Sequence, residues 1–141
     1  MDFSKAEFDL VASSDRGADC HIEHPFTGEP LYYTDSTGVE KPIVIRVLGQ
    51  DSREFRAAVS ATSDAAARRK RNVSIDEAEQ RAIAMLSVLV VRWEGIEWEG
   101  SPLECTIDNV KMFLKKFPPI RAQIDLFVAD RANFFKGRAK K

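Results

Sequence analysis

The segment from Ala82 to Val91 limits the fold more than any other. It is ten residues long and apolar apart from Ser87. A membrane-spanning helix needs about 20 such residues, so this run is read as buried in a globular core. Upstream, Ser74 and Glu77 have the spacing of a capping box, with Val73 and Ala78 placed as a hydrophobic staple. Ile75, Ala78, Ala82, Met85, Leu86, Leu89 and Trp93 then recur on one helical face. The reading is a central helix running on to Trp93. A strand over Val88–Trp93 is the weaker alternative, because no break separates it from the helix.

Around that helix the chain divides into a β-rich part, 18–48, a helical part, 51–135, and a basic tail, 136–141. Before these, Phe3, Ala6 and Leu10 suggest a short helix stopped by Ser13, Ser14, Asp15 and Gly17. Cys20, Ile22 and His24 alternate with His21 and Glu23, as in a half-buried strand. Turns at Pro25-Phe26-Thr27-Gly28 and Asp35-Ser36-Thr37-Gly38 separate it from Leu31–Thr34 and from Ile43–Leu48. Short connections favour antiparallel neighbours, so the three form an N-terminal meander. Asp51 and Glu54 have cap spacing for a helix carrying Phe55, Ala58, Val59 and Thr62. Thr106 caps a third helix, with Ile107, Val110, Leu114 and Phe117 on its face. Pro118 opens a fourth, expected to run through Phe134 and Phe135 to Gly137. The fold class is therefore α+β: an antiparallel three-stranded meander packed on a C-terminal bundle of about four helices, in one domain over 1–141.

Composition excludes more than it selects. At 141 residues, 44% hydrophobic and 30% charged, the chain is long enough to bury a core without metal or disulfide staples. Its formal net charge of -1 argues against a strongly basic nucleic-acid binder. The acids Asp2, Glu7 and Asp9 and the lack of an apolar run argue against a signal peptide. With no secretory signal, the Asn72-Val73-Ser74 sequon is set aside. Cys20 and Cys105, far apart and in no CxxC, read as reduced thiols of a cytoplasmic protein.

No catalytic constellation emerges. Cys20, His21, Glu23 and His24 are the one metal-like group, but strand alternation splits them between two faces and no second group completes a site. Neither cysteine sits in a nucleophile motif with a histidine. Glu94, Glu97, Glu99 and Glu104 surround turn residues and read as a solvated loop. The glycines form no phosphate loop. Arg68, Arg69, Lys70 and Arg71 make the one dense basic run; they can meet phosphates, but they also suit a helix C-terminus. Trp98 and the adjacent pair Phe134 and Phe135 are the candidate partner-binding residues, since both phenylalanines cannot face one core. The expectation is a non-enzymatic interaction protein with no cofactor and no metal.

A set of motifs in fixed order resembles a known family. His24-Pro25-x-Thr27-Gly28-Glu29-Pro30 is followed by Val47-x-Gly49-x-Asp51-Ser52. Trp93-Glu94-Gly95-Ile96 then leads to Ser101-Pro102-Leu103-x-Cys105-Thr106-x-Asp108-Asn109. Pro118-x-Ile120-x-x-x-Ile124 and Asn133-Phe134 close the series. Over about residues 18 to 135 this order is similar to the small tail assembly chaperones of long-tailed (siphovirus-type) bacteriophages. The resemblance implies a protein that binds the tape-measure protein, keeps it soluble and helps recruit tail tube subunits in the host cytoplasm. It also implies absence from the mature virion and, in many members, a longer frameshifted form. Self-association is compatible with it; a membrane or nucleic-acid partner is not expected. The alternatives are a structural virion protein (head–tail connector or tail completion protein) and a small nucleic-acid-binding regulator.

Overall fold

Ile43–Leu48, the run richest in strand formers, lands in the middle of an antiparallel sheet. The computed structural model describes residues 1–69 and 74–135. In chain order the elements are α1 (Leu10–Arg16), β1 (Ala18–His21), β2 (Tyr32–Thr34), β3 (Glu40–Pro42), β4 (Val44–Val47), α2 (Arg53–Arg69) and α3 (Ile75–Leu89). They continue with β5 (Val90–Glu94), β6 (Glu97–Trp98), β7 (Ser101–Pro102), α4 (Ile107–Lys116) and α5 (Pro118–Ala129). Single 3-10 turns stand at Ala6–Phe8 and Arg131–Phe134. The class is α+β. Among the described residues no helix is long and apolar enough to cross a membrane.

The main sheet has the order β1-β4-β5, so its third strand is not the expected neighbour from 31–34. The central helix stops at Leu89, and Val90–Glu94 pairs with β4, setting Ile45 opposite Trp93 and Arg46 opposite Arg92. Leu48 N–H donates to the Leu89 carbonyl at 2.9 Å, which fixes the switch from helix to strand. The reason is tertiary. Helix periodicity continues past Leu89, but β4 offers a row of backbone groups that β-branched Val90 and Val91 satisfy.

The segment from 31 to 43 leaves the sheet as a separate β2-β3 hairpin. It departs from a closed ring of three backbone hydrogen bonds. Ile22 N–H donates to Ile43, Ile43 to Leu31, and Leu31 to Ile22, at 3.0, 2.9 and 3.0 Å. At the hairpin turn Gly38 has φ 84°, and the Asp35 carboxylate accepts from the Thr37 and Val39 amides at 2.9 and 3.0 Å. The Thr37 hydroxyl, which donates to the same carboxylate at 2.6 Å, leads these amides and Lys41 (3.1 Å) in holding the Asp35 carboxyl well below the usual carboxylate range. Trp93–Pro102, whose Gly and Pro residues suggest a tight loop or a small hairpin, contains the β6-β7 hairpin.

The helices close over one face of the sheet. Ser74 and Thr106 cap α3 and α4 as their spacing predicts, accepting from Glu77 N–H at 3.1 Å and Asn109 N–H at 3.2 Å. Val73 of the expected staple lies outside the described residues. The cap of α2 is Ser52, not Asp51: its hydroxyl accepts from Phe55 N–H at 3.2 Å. Asp51 instead grips Arg131 through two bonds of 2.7 and 3.0 Å. The last helix is also shorter than expected. α5 ends at Ala129, where the Asp130 side chain accepts from Ala132 N–H (3.1 Å) and starts the 3-10 turn. Ile45, Val47, Leu89, Leu114 and Ile124 are at most 1% exposed. Each contributes roughly 1.5–3 kcal/mol by leaving water.

Candidate functional site

The three candidate partner residues prove to have three different settings. Trp98 is half-buried in β6, its ring 6.4 Å from that of Phe117 at an interplanar angle of 75°. Lys116 Nζ stands 5.6 Å from its centroid, a cation–π contact. Phe134 is a core residue, 6% exposed and packed edge-on against Phe127 at 5.7 Å. That burial removes it from any partner surface. Phe135 is the outward one, 40% exposed. Trp98 sits at the start of α5 and Phe135 beyond its end, and α5's 12 residues span about 18 Å. They do not form one patch.

The sequence-level metal candidates are used locally. Cys20 is buried in the core, and burial, with the Glu23 carboxylate beside it, pushes its thiol up to about 11. His21 Nε2 donates to the Leu31 carbonyl (2.8 Å). His24 Nδ1 accepts from the amides of Phe26 and Thr27 at 3.1 and 3.3 Å, fastening the Pro25–Gly28 turn. Among the described residues no group of three or more His, Cys, Asp or Glu is placed to hold a metal ion. Cys105, half-buried near Trp93, is also raised by burial. Arg68 and Arg69 lie in the last turn of α2, and Lys70 and Arg71 lie outside the described residues. The same holds for the basic tail at 136–141.

The largest departure from expectation is on α3. Ala82 and Met85, assigned from periodicity to the core face, line an open groove with Phe55, Leu86, Pro118 and Ala122. The buried face of α3 is instead centred on Ile83, Leu86, Ser87 and Leu89. The groove holds about 340 Å³ between α3, α5 and the start of α2. Its floor is apolar, and Arg121 and Asp125 supply its charged edge. Arg121 Nη2 donates to Glu79 at 3.1 Å, while its Nη1 is buried without a partner. Ala82 and Ala122 are both exposed. A second recess, about 450 Å³, separates α3 from α4 and is lined by Ile83, Ala84, Met112 and the stems of Lys111 and Lys115. The signal for the first groove was in the sequence: the apolar band of α3 is wider than one packed face requires.

This arrangement can bind but offers no reacting group at its floor. An apolar trough flanked by helices, with one cation and one anion at the edge, suits the stripe of an amphipathic helix. Comparison with protein-family models, with curated proteins and with solved structures finds no match for this chain.

Proposed function

We propose that this protein is a non-enzymatic tail assembly chaperone of the kind its motifs resemble. It holds an amphipathic helix of the tape-measure protein and helps bring tail tube subunits to it. The observation that supports this reading is the exposed apolar groove between α2, α3 and α5. A long helical client has an apolar stripe that must be covered until the tube assembles around it. A groove with Ala82 and Ala122 open to solvent and Met85 half-buried in its wall covers such a stripe with small and adaptable side chains. Arg121 and Asp125 give the groove wall one cation and one anion to pair with charged side chains flanking the client's stripe.

The test is co-expression with the tape-measure protein from the same genome, followed by a tagged pull-down. The wild-type chain is expected to keep the client soluble and to co-purify with it. Ala82→Glu combined with Ala122→Glu places two carboxylates in the groove at exposed helix positions. Loss of the client with an unchanged thermal midpoint supports the groove. Undiminished capture by the double variant overturns it.

A further inference from the structure

The outer edge of β1 carries a second recognition surface, of a different kind. Ile22 N–H donates to Ile43, and β1 runs antiparallel to β4 in the register Cys20 with Ile45 and Ala18 with Val47. Backbone groups alternate in direction along a strand, so Ala18 and Cys20 face β4 while Asp19, His21 and Glu23 face away from it. At Glu23 this outward pair is already occupied. The Gln123 side-chain amide accepts from Glu23 N–H at 2.8 Å and donates to its carbonyl at 3.0 Å, as the backbone of a neighbouring strand would. Among the described residues no such surrogate continues the row at His21 and Asp19.

Alongside lies a recess of about 310 Å³, lined by Cys20, His21, Gln123, Leu126, Phe127 and Asn133. Leu126 is 73% exposed, unusual for a leucine on a packed helix. Glu23 and Asp130 also border the space, and Asp19 at the strand edge is paired with Arg46 at 3.1 Å.

We propose that this edge accepts one extended segment of a partner protein by antiparallel strand addition. Two residues of the segment pair with the backbones of Asp19 and His21. The residue between them stands opposite Cys20, on the side of Leu126 and Phe127, and is aliphatic. The bordering carboxylates of Glu23 and Asp130 select basic flanking residues and disfavour acidic ones. They also disfavour a second copy of this chain, whose own β1 would place Asp19 opposite His21, next to Glu23. The proposal is independent of the α3–α5 groove.

The probe is the capped peptide acetyl-Thr-Lys-Val-Lys-Thr-amide, titrated into the isotope-labelled full chain and followed by NMR. The expected result is saturable shifts at the amides of Asp19, His21 and Leu126. Methylating the two lysine backbone nitrogens removes the donors that face β1 and should weaken binding at least about tenfold. Methylating the valine nitrogen, which points away from β1, should change it little. Replacing both lysines by glutamate, or Leu126→Ser in the protein, should weaken binding without altering the rest of the spectrum. Failure of the parent peptide to shift these amides overturns the proposal, as does equal sensitivity to either methylation. Concentration-dependent protection of Asp19 and His21 without peptide would assign the edge to a second copy and overturn the partner assignment.

Discussion

Phe134 and Phe135 are adjacent and chemically identical, yet their surroundings give them opposite loads. Phe134→Ser opens a cavity beside Phe127 and should cost about 3–5 kcal/mol. Phe135→Ser, at a position 40% exposed, should cost clearly less, about 1 kcal/mol. Chemical denaturation of the two variants checks the assignment; similar losses would contradict it. Gly95 shows a different constraint. Its φ is 84°, and an added Cβ would collide with Cδ1 of the Tyr33 ring and lie 2.8 Å from two further ring carbons. The glycine of the Trp-x-Gly-Ile motif thus lets the β2-β3 hairpin close on the end of β5. Gly95→Ala combines positive-φ strain with overpacking and should destabilise by about 1–3 kcal/mol in the same assay. Cys20 adds a pH dependence. Its thiol is ordinary at 9.0 when unfolded and rises to about 11 in the fold. Between those values the folded chain binds more protons than the unfolded one, so stability falls as pH climbs through the window. The expected loss by its upper end is about 2–3 kcal/mol. Cys20→Ser should flatten that part of the stability–pH curve.

Among the elements, the boundary between α3 and β5 has the largest consequence. Helical periodicity alone would carry the chain on to Trp93. The β4 edge wins because Trp93 then packs at 5.5 Å from Phe113 and donates its indole N–H to Leu103 at 2.7 Å. Trp93→Phe keeps an aromatic ring against Phe113 but removes the pyrrole part of the indole with its N–H, leaving the Leu103 carbonyl without its donor. A loss of about 1–3 kcal/mol is expected, read from the denaturation midpoint. The caps were legible because their chemistry is local: Ser74 and Thr106 need only a backbone N–H three residues on. Asp51 misled for the same reason. It is spaced as a cap, but a guanidinium 80 positions away competes for its carboxylate, and the neighbouring Ser52 takes the local role.

For the whole molecule, the Asp51–Arg131 pair ties the entry of α2 to the turn that follows α5. Gln50 reinforces the tie by donating to the Ala129 carbonyl at 3.0 Å. Asp51→Asn should loosen this junction, lowering the thermal midpoint and speeding amide exchange in the 131–134 turn. Exchange unchanged there would show that the junction is held elsewhere. The chaperone reading makes its own prediction at this scale. The chain should accompany tape-measure protein in infected cells and be missing from purified particles. Mass spectrometry of mature virions checks this, and stoichiometric recovery there would favour the structural-protein alternative.

The sequence by itself determined the class, α+β, and most helix starts, because caps, prolines and glycine turns act within a few residues of themselves. It also determined the best strand and the apolar material of the core. Only the tertiary structure decided which strand joined β1 and β4, where the central helix stopped and which of two phenylalanines turned inward. It alone moved Ala82 and Met85 from a presumed core face to the wall of a groove, and placed Gln123 against Glu23. Those outcomes are set by long-range contacts. A backbone edge, a distant guanidinium or a second helix changes which arrangement leaves the fewest unmet hydrogen bonds and the least exposed apolar area. Periodicity along one segment cannot carry that information.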